Sequence, residues 1–531
     1  MENSALLLVA LFAGIIVSAI VAQKLRIPIP IAFVAIGFAV AFIPNVPTPH
    51  VNPQLLFTVV LPPLLFAGGW TTDWHEFKRT FTPIWLLAVV LVIVTTVVVA
   101  VLAHQLAGFG WPMAFVLGAI VSPPDAVAAE AIFQQMAVPR RIVSIITGEG
   151  LINDGTALVL YRFAVLAVVT GSFSLMYASV AFVYNVIGGI ACGLLVGVIV
   201  RFVMNLLERF GVDDSGVANV VALLAPYAAY LPADAFGASG VLSAVAAGIY
   251  VSRHSLTIFT PQSRVTATGV WDVMLLLLNG LVFLLIGLLL PSLVRSLAST
   301  IGHYIWLAVV VSVAVIVVRF AWVFPVARLR RMIPGVAVRD PMPSWQELTV
   351  LSWSGMRGIV SLAAALALPY TNSLGRPLEH RSEVIFVTLC VIVATLLLHG
   401  VTLAPLIAWL GISETDTRRS EEMEIRVKAL KAAIAYLHDA GPALQTPGEM
   451  EAVGRLAGEY ERRIDHLRGH IDSDEGRRDE EDERESDRRL ELAALDAERR
   501  EIARLRRSGE IPDDIYQSIE YDLDLAGLRL H

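Results

Sequence analysis

Between residue 5 and about Leu410 the chain is a succession of apolar stretches joined by short polar links. Within hydrocarbon no water can pair with backbone amides and carbonyls. Segments of this kind therefore have to satisfy their own hydrogen bonds as helices. Windows of about 17–25 apolar residues place spans near 5–22, 28–43, 53–69, 83–106, 112–134, 139–169, 176–208, 216–231, 237–253, 264–290, 301–328, 345–369 and 381–410. The expected fold is thus an all-α polytopic membrane protein of about thirteen transmembrane helices. The second, eighth and ninth spans are short and rest more on the alternation of the loops than on length.

That alternation is clear in the basic residues. Every second joint carries them: Lys24/Arg26, Lys78/Arg79, Arg140/Arg141, Arg209, Arg253/Arg264 and Arg328/Arg330/Arg331/Arg339. The intervening joints hold only Arg295, Arg376 and Arg381. Cytoplasmic loops are the ones enriched in Lys and Arg, so the N-terminus is expected outside and the C-terminal tail in the cytoplasm. The first stretch lacks a basic n-region and is followed by Lys24 and Arg26, which reads as a span and not as a cleaved signal peptide.

Only 16% of the residues are charged, against about a quarter in soluble domains, and most of the charge lies beyond Gly411. Residues 1–410 are expected to form the membrane domain and 411–531 a charged, mostly helical soluble domain. The net charge of −7 averages over two media and identifies no partner. Cys192 and Cys390 are the only cysteines, far apart and within apolar runs, which points away from a disulfide framework or a cysteine metal site.

Against this background three acids stand out: Asp125 in SPPDAVAA, then Glu149 and Asp154 in GEGLINDGTAL. A charge at bilayer depth costs roughly 2.5–3.5 kcal/mol on insertion scales, so acids kept there normally bind an ion, carry a proton or pair with a base. The fifth span is interrupted by Ser122-Pro123-Pro124-Asp125, where two prolines remove two backbone donors and the helix must open. The twelfth has its own interruption, Ser354-Gly355-Met356-Arg357-Gly358, followed by Ser361. Paired interrupted segments in two halves mark a transporter with internal repeats. Because the fifth and twelfth spans are an odd number apart, the repeats are expected to be inverted, with the half-helix ends meeting at the midplane.

On the sixth span Glu149 and Asn153 are four apart and share a face, with Asp154 one step around. Asp154 and Asp125 can thus point at the crossing together. Carboxylates, the Asn153 amide and the opened Pro124 carbonyl are oxygen ligands suited to a hard monovalent cation. Two acids brought together in a low dielectric cannot both stay ionised without a counter-charge. Such a site holds either a cation or a proton, and competition between them gives exchange. The residues leave Glu149 open between a functional role and a static pair with Arg319. Arg357 is expected to neutralise a helix end at the break. Glu130 and Arg162 are expected nearer the interfaces, snorkelling; Asn279, His399 and Asp234 read as packing or mouth residues.

SPPDAVAA, GEGLINDGTAL and WSGMRGIVSLAAALALP, in that order over 1–410, resemble the monovalent cation/proton antiporters, in the branch of bacterial NhaP-type proteins and animal sodium/proton exchangers. The resemblance implies that Asp154 carries the cation and proton, that Asn153 marks an electroneutral 1:1 exchange, and that Asp125 orients the site. It further implies that Glu149 and Arg319 pair across the sixth and eleventh helices and that Arg357 sits at the break in the twelfth. A homodimer with elevator-like alternating access, serving pH and cation homeostasis in a bacterial plasma membrane, is implied too. Two positions depart from the pattern: many relatives have a serine where Gly150 stands, and a threonine where Pro124 stands. Fewer side-chain ligands leave potassium or lithium open beside sodium.

In the tail, EDERESDRRLELAALDAERREIARLRRSG reads as a long exposed helix or coiled coil. His438, His466 and His470 are candidate pH sensors. Nothing in the chain suggests an enzyme, a cofactor or a nucleic-acid partner. Beside the antiporter, two other readings remain: an ion-coupled carrier of an organic solute on the same architecture, and a membrane ion sensor signalling through the tail.

Overall fold

The computed structural model describes residues 2–25, 27–43, 53–133, 138–171, 175–211, 214–297, 300–330, 343–412, 415–440 and 447–472, with isolated positions elsewhere. The described residues are helical apart from turns and one isolated bridge between Thr371 and Pro377. They form two units, Met1–Ser413 and Glu414–His531.

The first unit is built from α1 (Glu2–Leu25), α2 (Ile29–Val40), α3 (Leu56–Thr71), α4 (Phe81–Ala107), α5a (Trp111–Val121) and α5b (Ala126–Phe133). Then come α6 (Arg140–Thr170), α7 (Leu175–Arg209), α8 (Ser215–Ala235), α9 (Gly240–Arg253), α10 (Pro261–Ser296) and α11 (Ile301–Arg330). The unit closes with α12a (Trp345–Trp353), α12b (Ile359–Leu366) and α13 (Arg381–Leu410). Among the described residues eight helices are long and apolar enough to cross a membrane, and four apolar helices are shorter. The twelfth span escapes both groups because its break leaves only 9 and 8 helical residues on either side.

Local chemistry explains the irregularities. Pro62 and Pro63 in α3 cannot donate to the carbonyls of Thr58 and Val59, and the turn before them, Leu56–Val60, widens to π geometry. Tyr227 Oη of α8 then donates to the Val59 oxygen at 3.0 Å, pairing a carbonyl that would otherwise be costly to leave bare in lipid. α12a begins with a capping box: Ser344 Oγ accepts from Glu347 N at 3.1 Å, and Glu347 Oε2 accepts from Ser344 N at 2.7 Å.

Buried side chains form two main apolar bodies in this unit, with a third, smaller cluster beside them. The larger holds residues of α1, α2, α4, α5a, α5b, α6, α10, α11, α12a, α12b and α13 and the start of α3, among them Phe33, Ile120, Ile146, Phe283, Val315, Leu362 and Ile392. The smaller gathers α3, α7, α8 and α9 around Phe66, which stacks on Trp271 of α10 with ring centroids 5.5 Å apart. Small residues of α8 and α9 (Ala222, Ala225, Ala229 and Ala247) let those helices approach closely.

In the second unit α14 (Thr415–Ala440) and α15 (Pro447–Asp472) carry exposed i,i+4 ion pairs, Glu424–Lys428 at 2.8 Å and Glu459–Arg463 at 3.4 Å. The long charged helix expected over EDERESDRRLELAALDAERREIARLRRSG falls, but for isolated positions, outside the described residues, and so do the side chains of His438, His466 and His470.

Candidate functional site

The site is built where the two interrupted spans cross. α5a ends at Val121 because Pro123 and Pro124 have no N–H to continue it. The Ala119 carbonyl that Pro123 leaves unpaired accepts instead from Ser122 Oγ at 3.2 Å. Across the break Asp125 N donates to the Met356 carbonyl at 2.7 Å. The Asp125 carboxylate then caps two helices at once: Oδ1 accepts from Val127 N of α5b at 2.9 Å and Oδ2 from Ile359 N of α12b at 3.1 Å. Each N-cap of this kind stabilises by about 1 kcal/mol, and the negative charge lies at the positive ends of both half-helix dipoles. Gly358 permits the arrangement, since a Cβ there would overlap Asp125 Oδ2.

The opposite half-helix ends carry the opposite charge. Arg357 Nη1 donates to the Ser122 carbonyl at the end of α5a, so the sequence expectation of a neutralised helix end applies to the partner span. Arg319 Nε donates to the Leu351 carbonyl near the end of α12a at 3.1 Å. Arg319 also grips Glu149 bidentately, Nη1 to Oε1 at 2.5 Å and Nη2 to Oε2 at 2.7 Å, with side chains 3% and 1% exposed. This is the fork geometry that makes Arg–carboxylate pairs strong, and it ties α6 to α11.

Asn153 donates from Nδ2 to the Pro124 carbonyl at 2.8 Å. That carbonyl keeps one lone pair, and Asn153 Oδ1 is buried without a hydrogen-bond partner among the described residues. Asp154, one step around, makes no hydrogen bond among the described residues. It lines a small cavity of about 70 Å³ together with Asp125, Pro124, Gly150 and Ser361. That is room for about two waters at roughly 30 Å³ each.

One expected position is corrected. Glu130 does not snorkel to an interface: it lines this same cavity and accepts a hydrogen bond from Thr147 Oγ1 of α6. Glu130 lies on α5b, Ala126–Phe133, which begins directly after the break and carries it to the cavity. Thr147 was not singled out by sequence reasoning; its spacing of i, i+3, i+7 with Gly150 and Asp154 was the available signal. Arg162 does lie at a partly exposed position, 47% exposed and paired with Asp234 at 2.5 Å.

A second cavity of about 340 Å³ lies toward the Thr170 end of α6, walled by Leu158, Arg162, Tyr230, Asp234 and Val241. Between the two cavities sits an apolar cluster of Leu61, Leu65, Leu151, Tyr230, Val241 and Val245, with Phe57, Leu158 and Val360 packed against it. Leu61, Leu65, Leu151 and Val360 also wall the first cavity, and Phe57, Leu158, Tyr230 and Val241 the second. Asp125, Glu130 and Asp154 thus line one cavity, and apolar side chains stand between it and the other.

Crossed, interrupted helices with buried acids at the crossing, in a multi-pass membrane protein, define a secondary ion transporter. Residues 7–409 match the family described as sodium/hydrogen exchanger, transmembrane, and the chain belongs to that family. It is 33% identical over 524 residues to an uncharacterised Na⁺/H⁺ exchanger of Escherichia coli, YjcE, covering 94% of this chain and 93% of that protein. It is 33% identical over 392 residues to a sodium, potassium, lithium and rubidium/H⁺ antiporter of Bacillus subtilis, covering 71% of this chain and 57% of that one. Identity to the Na⁺/H⁺ antiporter ApNhaP of Aphanothece halophytica is 30%, covering 79% and 77%. In fold it is similar to the sodium proton antiporter MjNhaP1 from Methanocaldococcus jannaschii, with a TM-score of 0.59 at 16% identity, covering 77% of this chain and 99% of that structure.

Proposed function

We propose that this cation/proton antiporter works through Asp154, which binds a monovalent cation and a proton alternately. The observation that carries the reading is the state of the two aspartates. Asp125 is held by two backbone N–H groups and caps both half-helices, whereas Asp154 lines the cavity with no hydrogen-bond partner among the described residues. Asp125 orients the site and contributes its negative charge; the Pro124 carbonyl, steadied by Asn153, supplies a further oxygen. Glu149 and Arg319 hold α6 against α11, and Arg357 holds the α5a end.

Sodium is the substrate most in keeping with the family, with potassium and lithium as alternatives, since Pro124 and Gly150 present no side-chain oxygen. The cavity's size suits a small ion with a water and favours ion exchange over carriage of an organic solute. The relatives' names, from Na⁺/H⁺ exchanger to sodium, potassium, lithium and rubidium/H⁺ antiporter, span this range. With an amide at 153, a single site charge is exchanged per cycle, which makes the antiport electroneutral at 1:1. The apolar cluster between the cavities acts as the seal that alternating access must break and remake, by movement of the larger apolar body against the smaller. The working unit is a homodimer in a bacterial plasma membrane, N-terminus outside and residues 411–531 in the cytoplasm, serving pH and cation homeostasis.

Reconstituted vesicles test this. An outward gradient of Na⁺, K⁺ or Li⁺ should drive proton movement through the protein for at least one of them, at a rate unaffected by an imposed membrane potential. A flux that follows the potential would overturn electroneutrality, and no flux with any of the three would overturn the reading itself.

A further inference from the structure

Glu130 is an intramembrane carboxylate to which the exchange mechanism above gives no task, and its surroundings supply one. It stands on α5b little more than one turn beyond Asp125, in the same cavity as Asp125 and Asp154. Thr147, which donates to its Oε1, lies two turns before Asp154 on the same face of α6, about 10 Å away along the helix. Among the described residues no three His, Cys, Asp or Glu side chains converge as ligands on one metal ion. The carboxylates of Asp125, Glu130 and Asp154 all line this one cavity.

An independent observation shows that the cavity wall offers an unmet oxygen. Ser361 of α12b is 2% exposed and lines the cavity, and its Oγ has no hydrogen-bond partner among the described residues. A buried hydroxyl left bare costs about 1–3 kcal/mol, which a ligand or its water passing beside it would offset. Where Gly150 stands, a hydroxyl has no place without a shift of its neighbour: a Cβ would lie 2.6 Å from that of Ala126. The side-chain oxygens missing at 124 and 150 are thus supplied elsewhere along the wall, by Glu130, Thr147 and Ser361.

We infer that Glu130 is a cation-loading residue. It draws a partly hydrated monovalent cation into the cavity and passes it to Asp154, with the Ser361 hydroxyl as an oxygen on the way. Thr147 fixes one carboxylate oxygen and leaves Oε2 for the ion. A carboxylate in the path raises the local cation concentration, so its effect is expected on cation affinity. The inference rests on Asp154 being the exchanging site.

The test compares Glu130→Gln with the unaltered protein in vesicles, measuring proton flux against graded Na⁺, K⁺ and Li⁺. Gln keeps the size and still accepts from Thr147, so a purely structural role would survive the change. The expected result is a rise of about tenfold or more in the half-saturating cation concentration, with the maximal rate within about threefold. Half-saturation within twofold of the unaltered protein for all three cations would overturn the inference. Should the Gln variant fail to accumulate, Glu130→Asp draws the charge back by one methylene; a several-fold rise is then expected, and no rise overturns it. Cation-driven flux in the unaltered protein with an indifferent Glu130 variant removes this inference alone, whereas absence of that flux removes the antiport reading and this inference with it.

Discussion

At the scale of single residues the decisive contrast lies between charges that are fully paired and those that face the cavity. Glu149 and Arg319 spend all four of their facing atoms on each other, and Arg319 Nε holds Leu351 as well. Removing one member of such a buried pair strands the other charge and costs about 3–5 kcal/mol, while replacing both by apolar groups is often nearly neutral. Glu149→Gln and Arg319→Met are therefore each expected to lower the thermal stability of the detergent-solubilised protein markedly. Glu149→Leu with Arg319→Met together should recover most of the loss. Melting curves followed by size-exclusion fluorescence decide this, and additive losses in the double variant would contradict it. The residues alone left Glu149 open between a functional role and a static pair with Arg319, and the resemblance implied the pair; its bidentate geometry between side chains 170 positions apart comes from the packing of α6 on α11.

At the scale of elements the two interrupted spans form one device, in which Asp125 closes two helix starts and two arginines close two helix ends. Gly358 is its narrowest point. Gly358→Ala would push a methyl into the Asp125 carboxylate, releasing caps worth about 1 kcal/mol each and misaligning the aspartates. Exchange is expected to fall by at least about tenfold, as displacements near 1 Å cost far more than that in positioned chemistry. Gly269→Ala in α10, where an added Cβ meets nothing within 4 Å, is the matching control and should leave exchange intact; equal activity of the two variants would contradict the account. The breaks themselves were plain in the sequence, because Pro123-Pro124 and Gly355-Met356-Arg357-Gly358 forbid or disfavour helix. Which carbonyl each arginine would reach was not plain. Arg357 crosses to Ser122 and Asn153 turns to Pro124, choices set by the crossing geometry and not by either segment alone. Glu130 was misplaced because its position near the end of the fifth apolar stretch does not show which residues of α6 and α12b wall the cavity beside α5b.

At the scale of the whole molecule the thirteen apolar stretches correspond to the helices one for one, since hydrophobic length and basic loops are local signals that the bilayer enforces. The grouping of those helices into two apolar bodies with a seam between two cavities comes only from their packing. In the proposed mechanism, binding at Asp154 on one side of the seam, followed by exposure on the other, makes cation and proton competitors for one carboxylate. The most direct measurement is proton flux in vesicles carrying either the unaltered protein or Asp154→Asn, driven by Na⁺, K⁺ and Li⁺ in turn over a range of pH. The half-saturating cation concentration should rise as pH falls while the maximal rate holds, and Asp154→Asn should show no cation-driven flux at any pH. Cation-driven proton movement that persists in Asp154→Asn at the unaltered rate would contradict the account.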